Sequence, residues 1–147
     1  AQLTTAVVNV SGIGYEVHMP SRSASGLGEG KECAFHIYTH LRADGRSESS
    51  LELYGFSSSW EKQVFLLLTS VSGIGFKTAL SILSGIDART ILQAIVRQDR
   101  VTLSAIPGVG KKTVERIFLE ISEKASKLLM KTEGAAPGAA PSRRPSG

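Results

Sequence analysis

Apolar and polar positions alternate through the first third of the chain. Val8 and Val10, then Tyr15, Val17 and Met19, keep a period of two on either side of Ser11-Gly12-Ile13-Gly14. Successive side chains of a strand point to opposite faces, so this spacing predicts a β-hairpin. Cys33–Leu41 (CAFHIYTHL) and Ser50–Phe56 (SLELYGF) predict a second pair of strands, with the polar stretch Arg42–Ser49 (RADGRSES) between them. Arg22–Glu32, with Gly26, Gly28 and Gly30, reads as a connecting loop. Short strands separated by turns predict a small barrel or sandwich.

At Ser57 the period changes. Ser58 and Glu61 have the spacing of a capping box, in which a serine hydroxyl and a glutamate carboxylate each take a backbone N–H at a helix start. The helix that follows places Trp60, Val64, Leu67 and Leu68 on one face. From there to about Met130 every apolar stretch has helical spacing. Gly85 and Asp87 mark the end of one helix and the start of the next, and Asp99 can cap another short one. Thr113 to Leu129 carries Val114, Ile117, Phe118, Ile121, Ala125 and Leu128 on one stripe. Glu133–Gly147 (EGAAPGAAPSRRPSG) has almost nothing to bury and reads as a flexible linker, which normally leads to a further domain. The expected class is α+β, with a strand-built domain over 1–57, an all-α domain over 58–130 and a linker over 131–147.

Composition narrows this reading. Hydrophobic residues are 41% and charged residues 20% of the chain, which excludes disorder over most of its length. The longest run of large apolar residues, Val64 to Leu68, is far too short for a membrane span. Residues 1–15 lack the basic start and compact apolar stretch of a signal peptide. The chain opens on Ala1 rather than Met, as expected of a processed form or a fragment. The lone cysteine, Cys33, cannot form an internal disulfide or a cysteine-based metal site, and a reducing cytoplasm fits best. Net charge is +4 and unevenly spread: residues 1–71 balance at −2, residues 72–127 at +4 and residues 128–147 at +2. A basic second half points to a polyanionic partner.

An internal repeat sharpens that hint. At an offset of 35 residues, Leu68–Leu83 (LTSVSGIGFKTALSIL) aligns with Leu103–Phe118 (LSAIPGVGKKTVERIF), with Gly73/Gly108, Gly75/Gly110, Lys77/Lys112 and Thr78/Thr113 identical. Each copy predicts helix, Gly-apolar-Gly turn, helix. The glycines allow a left-handed backbone and close approach of another chain, while Ile74 or Val109 pins the turn. The next helix begins at once, so its first N–H groups have no partner within the helix. Those donors and the positive end of the helix dipole make an anion site. Lys77, Lys111 and Lys112 lie in these first turns, where the dipole disfavours a cation by roughly 0.3–1 kcal/mol. A bound phosphate reverses that penalty. The pentamer Val-Ser-Gly-Ile-Gly also occurs at Val10–Gly14 between strands, where it is expected to be only structural.

Paired units of this kind resemble helix-hairpin-helix motifs, which bind the DNA backbone without reading its sequence. The whole order resembles the RuvA family, the Holliday-junction-binding subunits of the bacterial branch-migration machine. The resemblance rests on VSGIGYEVHMP (Val10–Pro20), THL (Thr39–Leu41), LYGF (Leu53–Phe56), SGIGFKTALSILSG (Ser72–Gly85) and IPGVGKKTVERIFLEI (Ile106–Ile121). It implies an OB-fold barrel, tandem helix-hairpin-helix motifs, and a linker to a small third domain. It also implies a tetramer, sometimes paired face to face, on an open four-way junction. The third domain would contact the hexameric ATPase RuvB, and RuvC would resolve the junction, in recombination, repair and the SOS response. DNA contacts are expected at Gly73, Ile74, Gly75, Lys77 and Thr78, and at Gly108, Val109, Gly110, Lys111, Lys112, Thr113 and Arg116. The resemblance implies a first strand of about a dozen residues and a third domain; neither is expected within these 147 residues, so the expected barrel lacks its first strand and contact with the motor is not expected of this stretch. The family carries an acidic pin between the last two barrel strands; here Asp44 and Glu48 are candidates, with a plain solvated loop the equal alternative.

Other chemistry fits poorly. GVGKKT lacks the first glycine of an ATP-binding loop, since Ala105 stands there, and Lys111-Lys112 replaces the single lysine. No ATPase is expected in the chain. A base-excision glycosylase would need an aspartate after the hairpin, but the acids beyond Gly110 are all glutamates. Lys112 as nucleophile would need burial to lower its pKa, and a first helical turn is a poor place for that. His18, His36 and His40 lie on predicted strands without a third ligand, so no metal or other cofactor is expected. The expectation is a non-catalytic DNA-binding subunit, the alternative being a monomeric module that binds any duplex.

Overall fold

A computed structural model describes residues 4–43, 45 and 49–133. Strands β1 (Thr4–Val10) and β2 (Ile13–Met19) pair antiparallel from Thr4 opposite Met19 to Val10 opposite Ile13. That register leaves Ser11-Gly12 as a two-residue turn. Both are left-handed, with φ of 53° and 90°, the type I′ geometry that matches strand twist. Asn9 Oδ1 accepts the Gly12 N–H at 2.9 Å.

Strands β3 (His36–Ala43) and β4 (Ser49–Phe56) form the second antiparallel pair. Residues 33–35, expected in the strand, lie outside it: His36 already pairs with Phe56, the last residue of β4. Parallel pairing of β2 with β4, at Val17–Leu53 and His18–Tyr54, joins the hairpins in the order β1-β2-β4-β3. Among the described residues the sheet is open, with β1 and β3 as its edges. The parallel junction needs Gly55, because a Cβ there would stand 2.6 Å from Val17 Cγ1.

The stretch read as a loop contains a short helix, α1 (Ser21–Ser25). Pro20 supplies a φ of −59° at its start, and the Pro20 carbonyl accepts the Ser23 N–H at 3.0 Å. A distant partner completes it: Ser21 N–H donates to Ser84 Oγ at 2.9 Å, from a helix 63 residues away.

The second half is helical: α2 (Ser59–Thr69), α3 (Phe76–Gly85), α4 (Ala88–Val96), α5 (Arg100–Ser104) and α6 (Lys111–Glu133). The expected caps form. Ser58 Oγ accepts from Glu61 N–H, Asp87 from Thr90 N–H and Asp99 from Thr102 N–H. The capping box closes on one side only, because the Glu61 carboxylate takes the hydroxyls of Ser23 and Ser57 instead, each at 2.9 Å. Gly85 is the last residue of α3 and is not left-handed, so it is no glycine cap. Helix α6 runs through Glu133, so 131–133 are helical where the linker was expected to begin. No single helix among the described residues is long and apolar enough to cross a membrane.

One core holds the helices together: Val64, Phe65 and Leu68 of α2, Leu80 and Ile82 of α3, Ile91, Leu92 and Ile95 of α4, and Val114, Ile117 and Ile121 of α6 are all buried. The sheet joins it through aromatic rings. Tyr54 of β4 lies 5.4 Å from Phe65 and 5.1 Å from Phe76, ring centre to centre, and His40 of β3 lies 4.4 Å from Phe76. Phe76 is the first residue of α3, so the sheet grips that helix at its start. The Tyr54 hydroxyl donates to Glu52 Oε2 at 2.8 Å. That bond holds the Glu52 carboxyl below its usual range, with help from Arg42 and against partial desolvation. Burial, then the bond to Glu52, pushes the Tyr54 hydroxyl up.

Two stability predictions follow from these contacts. Gly55→Ala destabilises the chain by about 1–3 kcal/mol in urea unfolding, as overpacking does; adding Val17→Ala, which vacates the clashing position, recovers part of the loss. Glu52 adds stability above its unfolded pKa near 4.5 and loses it as pH falls through the lower folded value. The urea midpoint therefore drops less between pH 6 and pH 3 in Glu52→Gln than in the unaltered chain.

Candidate nucleic-acid interface

The two repeats fold into two bends with the same backbone pattern. Gly73 and Gly108 are left-handed, with φ of 92° and 86°. Ile74 N–H donates to the Val71 carbonyl and Val109 N–H to the Ile106 carbonyl, both at 3.1 Å. Ile74 is 4% exposed and Val109 6%, so each middle residue is drawn into the core. The glycines on either side, Gly73 with Gly75 and Gly108 with Gly110, are exposed. Helices α3 and α6 start directly after them, with Ala79 N–H reaching Gly75 and Val114 N–H reaching Gly110, both at 3.0 Å.

One expectation is corrected here. Ile74 and Val109 cannot give their amides to a ligand, because those amides are already bound, nor their side chains, which are buried. They anchor the bends. Among the described residues, no hydrogen-bond partner takes the N–H of Gly73, Gly75, Phe76, Lys77 or Thr78, or of Gly108, Gly110, Lys111, Lys112 or Thr113. Eight of the ten, from Gly75 to Thr78 and from Gly110 to Thr113, are the orphan donors of a helix start, and all ten belong to exposed or half-exposed residues. Lys77, Lys111 and Lys112 are exposed and form no ion pair among the described residues.

Nearby acids are engaged. Glu115 accepts from Arg100 Nε at 2.6 Å, which holds the Glu115 carboxyl below its usual range. Arg100 also lies over the Phe118 ring, 5.1 Å from its centre. Arg116 turns away from the bend that opens its own helix. Its Nη1 donates to the Ser72 carbonyl at 3.3 Å, so its charge stands at the first bend. Glu120, one turn later on α6, accepts from Ser72 N–H at 3.2 Å and from Ser72 Oγ at 3.3 Å. Asp44 and Glu48, the pin candidates, lie outside the described residues. His18 Nδ1 is bonded to Thr5 Oγ1 at 3.1 Å, and His40 lies on Phe76. No group of three His, Cys, Asp or Glu among the described residues is placed to hold a metal.

Comparison with known proteins bears on these features directly. Residues 1–55 match the model of the RuvA N terminal domain, and residues 65–123, which span both bends, match that of the SAM-like helix-hairpin-helix tandem. The Holliday junction branch migration complex subunit RuvA of Anaeromyxobacter sp. (strain Fw109-5) is 43% identical over 137 residues, covering 90% of this chain and 66% of the relative. The chain belongs to the RuvA family. The subunit of the same name from Geotalea daltonii is 43% identical over 83% of this chain and 59% of its own length. That from Francisella tularensis subsp. mediasiatica is 42% identical over 85% of this chain and 56% of its own length. The chain thus spans roughly three fifths of the RuvA relatives it matches. The fold is that of the family: a RuvA N-terminal domain of the OB-fold type, then tandem helix-hairpin-helix motifs.

Ser72, Glu120 and the Arg100–Glu115 pair form no part of the sequence-derived site. The repeat gives no sign of them, since Glu120 aligns with Gly85 and Ser72 with Pro107. The bends themselves can be tested by stability. Gly108→Ala adds a Cβ with nothing within 4 Å, yet forces alanine to be left-handed, and it is expected to cost about 1–2 kcal/mol. Gly110→Ala meets nothing within 4 Å either and needs no left-handed backbone, so urea unfolding should show a loss below about 1 kcal/mol.

Proposed function

We propose that this chain is a non-catalytic DNA-binding subunit that recognises four-way (Holliday) junctions and supports ATP-dependent branch migration. The observation that carries the reading is the pair of exposed bends, each offering unbound amides at a helix start beside unpaired lysines. Amides of this kind suit phosphate oxygens, and lysines one residue into the helix add charge without fixing a base. Gly73, Gly75, Gly108 and Gly110 let the DNA backbone approach. Lys77, Lys111, Lys112 and Arg116 supply charge, and Thr78 and Thr113 each add an unbound amide in the first helical turn. Ile74 and Val109 contribute by anchoring. The names of the relatives support the junction as target.

In this reading the chain works as a homotetramer in the cytoplasm, with its pairs of bends distributed along the arms of the junction. ATP turnover comes from RuvB, and RuvC cuts the junction. Junction preference then arises from the geometry of the assembly, since each bend holds only backbone.

Gel shifts of a four-way junction and a linear duplex of matched sequence, in the same salt, test this. The expected result is tighter binding of the junction; equal binding would favour a monomeric module for any duplex. Lys112→Gln is expected to weaken both substrates regardless of sequence and to lower the slope of log affinity against log salt by about one. Gly110→Ala is expected to lose affinity with little loss of stability, because its methyl covers the amide. A loss confined to one base sequence would overturn backbone binding.

A further inference from the structure

The two bends share their backbone pattern but differ at the residue before the first glycine. At the second bend this is Pro107, whose ring fixes φ and which has no N–H. At the first it is Ser72, which has a free φ, an N–H and a hydroxyl. Both of those donors go to Glu120 Oε1, at 3.2 and 3.3 Å. The Ser72 carbonyl takes Arg116 Nη1 at 3.3 Å, and the same Nη1 lies 3.4 Å from where a Cβ on Gly73 would stand. Arg116 and Glu120 are four residues apart and so lie on one face of α6. The helix that begins at the second bend thus occupies every hydrogen-bonding group of the residue that opens the first. The repeat has no counterpart to this, since the position matching Glu120 is Gly85, without a side chain.

We propose that Glu120 is a positioning residue for phosphate binding at the first bend: it holds Ser72 in the place that the proline ring gives Pro107, so that the Gly73 and Gly75 amides face the DNA. The inference rests on the backbone-phosphate reading above. Charge alone argues the opposite effect, because a carboxylate beside a phosphate site repels the ligand. Removing Glu120 would then tighten binding. The two accounts therefore differ in sign.

The test uses the whole 147-residue chain and a four-way DNA junction, with thermal unfolding of each variant as the control for folding. Glu120→Ala is expected to weaken binding by about three- to tenfold, the value of one or two ordinary hydrogen bonds. Glu120→Gln keeps an acceptor oxygen without the charge, and should recover that loss. Ser72→Pro in the Glu120→Ala background should recover it too, since the Ser72 N–H donates to no backbone group that the ring would break. In amide spectra without DNA, Glu120→Ala should move the Gly73 and Gly75 resonances and leave Gly108 and Gly110 in place. Unchanged or tighter binding by Glu120→Ala overturns the proposal, as does a double variant no better than Glu120→Ala, or glycine resonances that do not move. Lys112→Gln, at the other bend, keeps the two ideas apart: if it leaves binding intact, the backbone-phosphate reading itself fails.

Discussion

Ile74 and Val109 each sink into the helical core between two glycines, and that burial turns the neighbouring amides outward. Burying a side chain of this size is worth about 1.5–3 kcal/mol. That is comparable with the cost of a left-handed backbone, which glycine almost escapes. The apolar anchor and the glycine before it are therefore one device. The anchor's own amide is spent on closing the turn, through Val71 or Ile106, so only the amides flanking it remain for a ligand. A bend with a polar middle residue would keep the glycines but lose the force that aims them.

The pentamer Val-Ser-Gly-Ile-Gly shows how little of this is local. At Val10–Gly14 its central glycine has φ of 90°, and at Val71–Gly75 it has φ of 92°. The glycine behaves alike in both. Ser11 is left-handed and turns one strand back on the next, whereas Ser72 is not and is tied to α6. Ile13 is 58% exposed at a strand start, while Ile74 is 4% exposed under a helix. What surrounds the five residues decides whether they become a hairpin turn or an anchored bend between helices.

This explains which features were legible in the sequence. Strand periods, the caps at Ser58, Asp87 and Asp99, the stripe along α6 and the two bends all depend on residues within about one turn or one hairpin of each other. The missed features are long-range. Ser21 reaches Ser84 across 63 residues, which is why a stretch with three glycines holds a helix at its start. Glu61 forgoes half of its capping box for Ser23, 38 residues away. Glu120 meets Ser72 across 48 residues. In each case a short polar side chain finds a partner that only the packed helices bring near, and periodicity carries no trace of such a meeting.

The two bends are thus equal in backbone and unequal in support. The first is held from both sides: Phe76, immediately after Gly75, packs on Tyr54, Tyr38 and His40 of the sheet, and Ser72, immediately before Gly73, is held by α6. The second has Pro107 before it and two lysines, not an aromatic ring, after it. Its stiffness is covalent, and its first turn is left free for charge. The residue following each bend therefore does one of two things, joining the domains or adding to the cationic surface. A single copy could not do both, because a ring packed on the sheet and an ammonium in solvent cannot share the first position of one helix. Duplication removes that conflict. One copy fixes the helical layer to the sheet, and the other opens its helix on two lysines.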